Sequence, residues 1–161
     1  MSRAIVAFGA NLGDREATIA EAVRALADTE GVALVAVSPV YETAAITEAG
    51  VDRDAPGYLN GVVALETELD PHDLLNRLHE IEAAHGRVRE VRWGARTIDL
   101  DLIDVDGLVV SDERLTLPHP RAWERAFVLQ PWLDLEPDAT LAGHGPIAAL
   151  RARAADEVTR R

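Results

Sequence analysis

The sequence predicts an α+β fold, a ferredoxin-like βαββαβ sandwich with a C-terminal hairpin and helix extension, and three observations carry that expectation. Apolar stretches of strand length and amphipathic stretches of helix length follow one another in the order β-α-β-β-α-β. Each of the two helical stretches opens on an aspartate suited to capping it. No shift in composition, repeat or linker divides the 161 residues, which therefore read as one domain over 1–161.

In chain order, Ala4 to Phe8 is a continuous apolar run stopped by Gly9-Ala10-Asn11-Leu12-Gly13, a buried strand leading into a tight turn. Asp14 caps the first helix, Glu16 suits its first turn, and Ile19, Ala22, Val23 and Leu26 recur at helical spacing until Gly31 ends the pattern. Val32 to Tyr41 and Tyr58 to Thr67 are rich in strand formers. Between them, Thr43 to Gly57 is polar, carries Gly50, Pro56 and Gly57, and reads as a long surface loop of the kind kept for function. Asp70 caps the second helix, Pro71 takes its first position, Leu74, Leu75, Leu78 and Ile81 form its buried stripe, and Gly86 ends it. Thr97 to Val105 alternates as a strand, Val109 to Leu117 reads as a small hairpin, Pro120 to Leu133 as a helix, and Ile147 to Val158 as a closing helix.

Composition excludes whole chemistries. The 16 basic residues are all arginine, and there is no cysteine. A Schiff-base lysine, a P-loop lysine, a thiol nucleophile and a cysteine-bound zinc are therefore ruled out, and phosphate must be held by arginine, metal or backbone. A net charge of −12 argues against broad nucleic-acid binding. Neither a hydrophobic leader nor a membrane-length apolar run is present, so a cytoplasmic protein without membrane partners is expected.

The most informative stretch is Arg96-Thr97-Ile98-Asp99-Leu100-Asp101-Leu102. On a strand, Asp99 and Asp101 share one face about 7 Å apart while Ile98, Leu100 and Leu102 turn to the core. Two carboxylates so placed suit Mg²⁺, which takes one or two protein carboxylates and leaves other positions to water and phosphate. Taken alone, such a pair is more often a solvated polar face. Asp104 and Asp106 read as ordinary turn acids. The flank changes the weighing: Gly86 to Arg96 holds Arg87, Arg89, Arg92 and Arg96 against Glu90 alone, a local +3 in a chain of −12. Arginine forks bind phosphate bidentately, so a basic loop running into paired carboxylates is what a metal–polyphosphate site requires. Trp93, between these arginines and Gly94, is either a core anchor or part of a lid.

Glu82 lies on the apolar stripe of its helix and needs a partner, either a loop arginine or a ligand. His79 and His85 are six residues apart, which does not give a helical zinc pair. Tyr58 and Asn60 share a strand face and offer a ring to stack on beside an amide, a combination suited to a flat heterocycle, although such a pair also merely begins many strands. Leu117-Pro118-His119-Pro120 frames a histidine between prolines, and Arg125-Ala126-Phe127-Val128-Leu129 opens a helix with an arginine and an aromatic that could equally be core.

These pieces in this order resemble the 6-hydroxymethyl-7,8-dihydropterin pyrophosphokinase family. The resemblance runs through Phe8-Gly-Ala-Asn-Leu-Gly13, Tyr58-Leu-Asn60, Gly86-Arg-Val-Arg89, Arg92-Trp-Gly-Ala-Arg-Thr-Ile-Asp-Leu-Asp101, Leu117-Pro-His-Pro120 and Arg125-Ala-Phe-Val-Leu129. It implies transfer of the β,γ-pyrophosphoryl unit of ATP to the pterin hydroxymethyl oxygen with release of AMP. It further implies that Asp99 and Asp101 bind two Mg²⁺ and that Arg87 and Arg96 hold the transferring phosphates. Glu82, Arg89, Leu102, Arg114, Thr116, His119 and Arg125 are implied on the ATP side. Thr43, Ile46, Tyr58, Asn60, Trp93 and Phe127 are implied around the pterin, with Tyr58 and Phe127 sandwiching it and Trp93 closing over it. The chain departs from the family in Thr43-Ala44-Ala45-Ile46, where proline commonly follows the threonine, and in a longer loop up to Tyr58. A monomeric, monofunctional enzyme without an appended aldolase or synthase domain is expected. Two rival classes remain: a two-metal nucleotidyl transferase, which would release pyrophosphate instead of AMP, and a βαββαβ RNA-binding module, which the acidic charge and lack of aromatic-rich segments disfavour.

Overall fold

The opening apolar run is β1 (Ser2–Ala10), which lies between two other strands and is buried on both faces, as a continuous rather than alternating pattern requires. The computed structural model describes residues 1–11, 14–43, 45–47, 50–52, 57–85 and 98–161. After β1 come α1 (Arg15–Ala27), β2 (Val32–Val37), β3 (Tyr41–Thr43), β4 (Ala45–Thr47), β5 (Gly50–Asp52), β6 (Tyr58–Thr67) and α2 (Pro71–His85). Then follow β7 (Asp99–Val105), β8 (Val110–Ser111), β9 (Thr116–Leu117), a 3-10 turn at Ala122–Glu124, α3 (Ala126–Leu135), β10 (Thr140–Leu141), β11 (Gly145–Pro146), α4 (Ile147–Arg153) and β12 (Thr159–Arg160).

The main sheet is antiparallel, in the order β12-β3-β6-β1-β7, with β2 also paired to β6. One face is covered by α1 and α2, whose Ile19, Ala22, Leu26, Leu74 and Leu78 pack on Val6, Phe8, Leu65 and Leu100. Phe8 fits because Gly61 stands opposite it: a Cβ there would lie 2.3 Å from the ring. The other face is covered by the C-terminal extension, whose Val128, Leu129, Trp132, Ile147 and Leu150 pack on Ile5, Val62, Ala64 and Ile103. The extension is therefore a second cover for the sheet, giving a mixed α/β arrangement with helices on both faces.

Both capping aspartates behave as expected: Asp14 accepts from Ala17 N at 3.1 Å and Asp70 from Asp73 N at 2.9 Å. Other boundaries moved for identifiable reasons. The stretch from Val32 to Tyr41 splits around Pro39, which has no N–H to pair; Ser38 bridges the break, its N–H reaching Val62 O and its Oγ accepting from Val62 N, both at 2.9 Å. The loop from Thr43 to Gly57 contains the β4–β5 hairpin. The helix expected from Pro120 to Leu133 is interrupted at Arg125, whose backbone is extended at φ −106° and ψ 108°. The closing helix ends at Arg153, and the chain beyond it forms β12.

The reading of Asp104 as a turn acid is overturned. Ile5 pairs with Asp104 but Val6 pairs with Leu102, so Ile103 is an extra residue in β7. The bulge turns Asp104 onto the Ile5 face, where it is only 8% exposed and its Oδ1 has no hydrogen-bond partner among the described residues.

Candidate active site

The α3–α4 cover reaches Ile5, Ala7 and Val62 but leaves the far end of that sheet face open. A cavity of about 670 Å³ lies there. Its floor comes from the ends of three neighbouring strands, because Gly9 pairs with Asn60 on one side and with Asp99 on the other. Strand alternation then puts Asp101 beside Ala7, and both carboxylates line the cavity, Asp99 half-buried and Asp101 exposed. Gly9 matters by its lack of a side chain: a Cβ would sit 3.1 Å from Asn60 Oδ1.

Across the floor, Tyr58 and Asn60 share the same face, and Thr43 of β3 pairs with Tyr58. Asn60 is 6% exposed and donates from Nδ2 to Thr43 Oγ1 at 2.9 Å, so its amide is oriented before any ligand arrives. Phe127, at the start of α3, lines the same cavity, and the Arg125 guanidinium stacks on its ring at 5.4 Å from the centroid. The cavity thus has a carboxylate end and an aromatic-amide end. Glu42 lines it too and is held below its ordinary carboxylate range, first by the hydrogen bond from Arg15 and then by Arg161.

Glu82 takes a role that sequence reasoning did not offer. It is 5% exposed and accepts the Leu100 N–H at 2.9 Å, so α2 holds the main chain between the two aspartates. His119 stands after the cis Leu117–Pro118 bond, its N–H on Ile103 O at 2.9 Å. Burial pushes its imidazole below the usual histidine value; Asp101 works against this and Arg125 and Arg121 with it.

Of the other expected residues, Leu102 turns its side chain into the core and Thr116 lies in the β8–β9 hairpin. Arg114, from the same connection, bonds Asn76 of α2. Glu82, Leu102, Arg114, Thr116 and His119 do not line the cavity. Ile46 contributes backbone to β4, opposite Val51. Arg87, Arg89, Trp93 and Arg96 lie outside the described residues.

Sequence reasoning missed the wall made by Ala155, Asp156, Glu157 and Thr159. A two-residue strand has no periodicity to read, and the pairing of Thr159 with Glu42 is a tertiary fact.

Residues 5–137 match the family model for 7,8-dihydro-6-hydroxymethylpterin-pyrophosphokinase (HPPK). A Methylorubrum extorquens protein named 2-amino-4-hydroxy-6-hydroxymethyldihydropteridine pyrophosphokinase is 48% identical over 143 residues, spanning 89% of this chain and 88% of its own. A Bacillus subtilis protein of the same name is 41% identical over 143 residues, spanning 86% and 83%. Among solved structures, wild-type HPPK-DHPS of Plasmodium falciparum with SDX-DHP superimposes on 95% of this chain with a TM-score of 0.71 at 15% identity, a likeness of fold. This chain spans 43% of the length of that structure.

Proposed function

The chain belongs to the 7,8-dihydro-6-hydroxymethylpterin-pyrophosphokinase family, and from that premise we propose which of its residues carry out the reaction. The enzyme transfers pyrophosphate from ATP to the hydroxymethyl group of 6-hydroxymethyl-7,8-dihydropterin in folate biosynthesis. The observation that carries the assignment is that Asp99 and Asp101 line the same cavity as Tyr58, Asn60 and Phe127.

Tyr58 and Phe127 stack on the two faces of the pterin, while Asn60 and the Thr43 region read its polar edge. Asp99 and Asp101 are the Mg²⁺ ligands. Among the described residues no cluster of three or more acids or histidines could hold a metal, and two hard carboxylates beside a wide cavity suit an ion that fills its remaining positions with water and phosphate. When bound, two Mg²⁺ supply charge neutralisation on the ATP phosphates. Arg87 and Arg96 hold the transferring phosphates, Arg125 with Arg89 and His119 serves the nucleotide side, and Trp93 closes over the pterin. The hydroxymethyl oxygen bonds to the β-phosphorus as the bond from that phosphorus to the AMP oxygen breaks, so alignment and electrostatics lower the barrier.

The finer fold reading is proposed in the same way. Within β1-α1-β2/β3-β6-α2-β7, the antiparallel order β3-β6-β1-β7 supports a ferredoxin-like core. Residues 1–161 read as one pyrophosphokinase domain, since β1 and β6 serve both cores. Incubation with Mg²⁺-ATP and hydroxymethyl-dihydropterin should give AMP only when both are present. ADP as product would refute the assignment, and free pyrophosphate would favour nucleotidyl transfer.

A further inference from the structure

We infer that Asp156 is a positioning residue for the pterin side of the site, acting through Phe127; the inference rests on the reading of Phe127 as a stacking residue. Its carboxylate takes both N–H groups that open α3: Ala126 N reaches Oδ1 at 2.8 Å and Phe127 N reaches Oδ2 at 3.2 Å. The next two, on Val128 and Leu129, donate to Arg125 O at 3.1 and 3.0 Å. All the opening donors of the helix are thereby satisfied, half of them by a side chain thirty residues further along the chain. The helix has no cap of its own, because Arg125 occupies that position without a side-chain hydrogen bond.

Phe127 depends on this cap for a second reason. Residue 131, four places further on, is proline, which has no N–H to give to the Phe127 carbonyl. The backbone that aims the ring is thus fixed at its N–H by Asp156 and lacks the usual helical bond at its C=O.

The tail that carries Asp156 is itself tied to the opposite wall. Thr159 and Arg160 pair with Glu42 and Tyr41, Arg161 N donates to Val40 O at 2.9 Å, and the Arg161 guanidinium reaches Glu42 at 3.1 Å. The same β3 strand carries Thr43 against Tyr58. One short segment, beyond the residues 5–137 matched by the family model, therefore holds Phe127 in place relative to Tyr58. A cap of helix stability alone could sit anywhere on the surface; Asp156 and Phe127 line the same cavity.

The test is steady-state kinetics on Asp156→Ala and Asp156→Asn, with pterin affinity measured separately in the presence of Mg²⁺ and a non-hydrolysable ATP analogue. Asp156→Ala should raise the pterin KM and Kd about tenfold and leave the ATP KM within about twofold. Asp156→Asn, which keeps one acceptor oxygen, should recover part of this and raise the pterin KM and Kd only about threefold, again with the ATP KM unmoved. A melting curve accompanies each variant, and if Asp156→Ala does not fold, the threefold pterin-selective effect in Asp156→Asn carries the test. Pterin values within twofold of native in a folded Asp156→Ala, or pterin and ATP constants rising together, would overturn the inference and leave the reaction assignment intact. A native enzyme that fails to bind the pterin at all would overturn both.

Discussion

Strand β7 carries aspartates at both ends, and the two ends have opposite fates. At its start, Asp99 and Asp101 line an open cavity. Near its end, Asp104 lies on the same face of the sheet but under the α3–α4 cover. Burial pushes its carboxyl above the ordinary value; the Gly107 N–H only partly offsets this, and Asp106 and Glu136 add to the rise. The strand supplies the same residue in both places, and the boundary of the second helical layer decides which carboxylate lines the cavity and which is buried.

The sharpest way to break this comparison is to remove a carboxylate from each end. Asp101→Ala, and likewise Asp99→Ala, should lower kcat by at least about 10³, roughly 4 kcal/mol of transition-state stabilisation. Asp101 is exposed, so its loss should move the unfolding free energy by no more than about 0.5 kcal/mol. Near-native turnover with Mg²⁺ in either variant would sink the metal assignment.

A smaller effect is expected from the residue that holds the productive end in place. Glu82→Ala leaves the buried Leu100 N–H without its carboxylate acceptor, at a cost of about 1–3 kcal/mol in stability. Because Leu100 separates Asp99 from Asp101, kcat should fall with it, by about tenfold. Glu82→Gln still offers a carbonyl oxygen and should retain most of both. Urea unfolding beside kcat measures this; an Ala variant that loses stability with no change in kcat would confine Glu82 to packing.

How far the sequence revealed this arrangement follows from the range of each signal. The cap residues, the apolar stripes of α1 and α2, and the shared face of Asp99 and Asp101 are local patterns of period 3.6 or 2, and all are found where expected. Tyr58, Asn60 and Phe127 were recognisable as residue types, but only the register of β6 with β1 and the seat of α3 bring them to one cavity. The bulge at Ile103 was invisible, because Asp-Leu-Asp-Leu-Ile-Asp alternates cleanly for four residues and then changes parity without glycine or proline to mark it. That Glu82 also accepts a backbone N–H from another element leaves no trace in the sequence. The tail wall escaped for the same reason: Asp156 reaches the start of α3 across thirty residues.

The gentlest test lies at the buried end of β7 and works through pH. Because Asp104 has a raised value in the folded state, the native protein holds a proton there that the unfolded chain releases once pH exceeds the ordinary aspartate value near 3.8. Its contribution to stability is thus fully present below that value and is lost as pH rises through the folded-state value. Asn at this position cannot ionise. Asp104→Asn and the native protein should therefore be about equally stable near pH 3.5, with the variant ahead by about 1 kcal/mol at pH 7. Turnover should be unchanged, since Asp104 does not line the cavity. Chemical denaturation at the two pH values measures the difference. A variant less stable than native at pH 7 would mean that the ionised Asp104 is satisfied in solution, and that the α3–α4 cover does not separate the two ends of the strand.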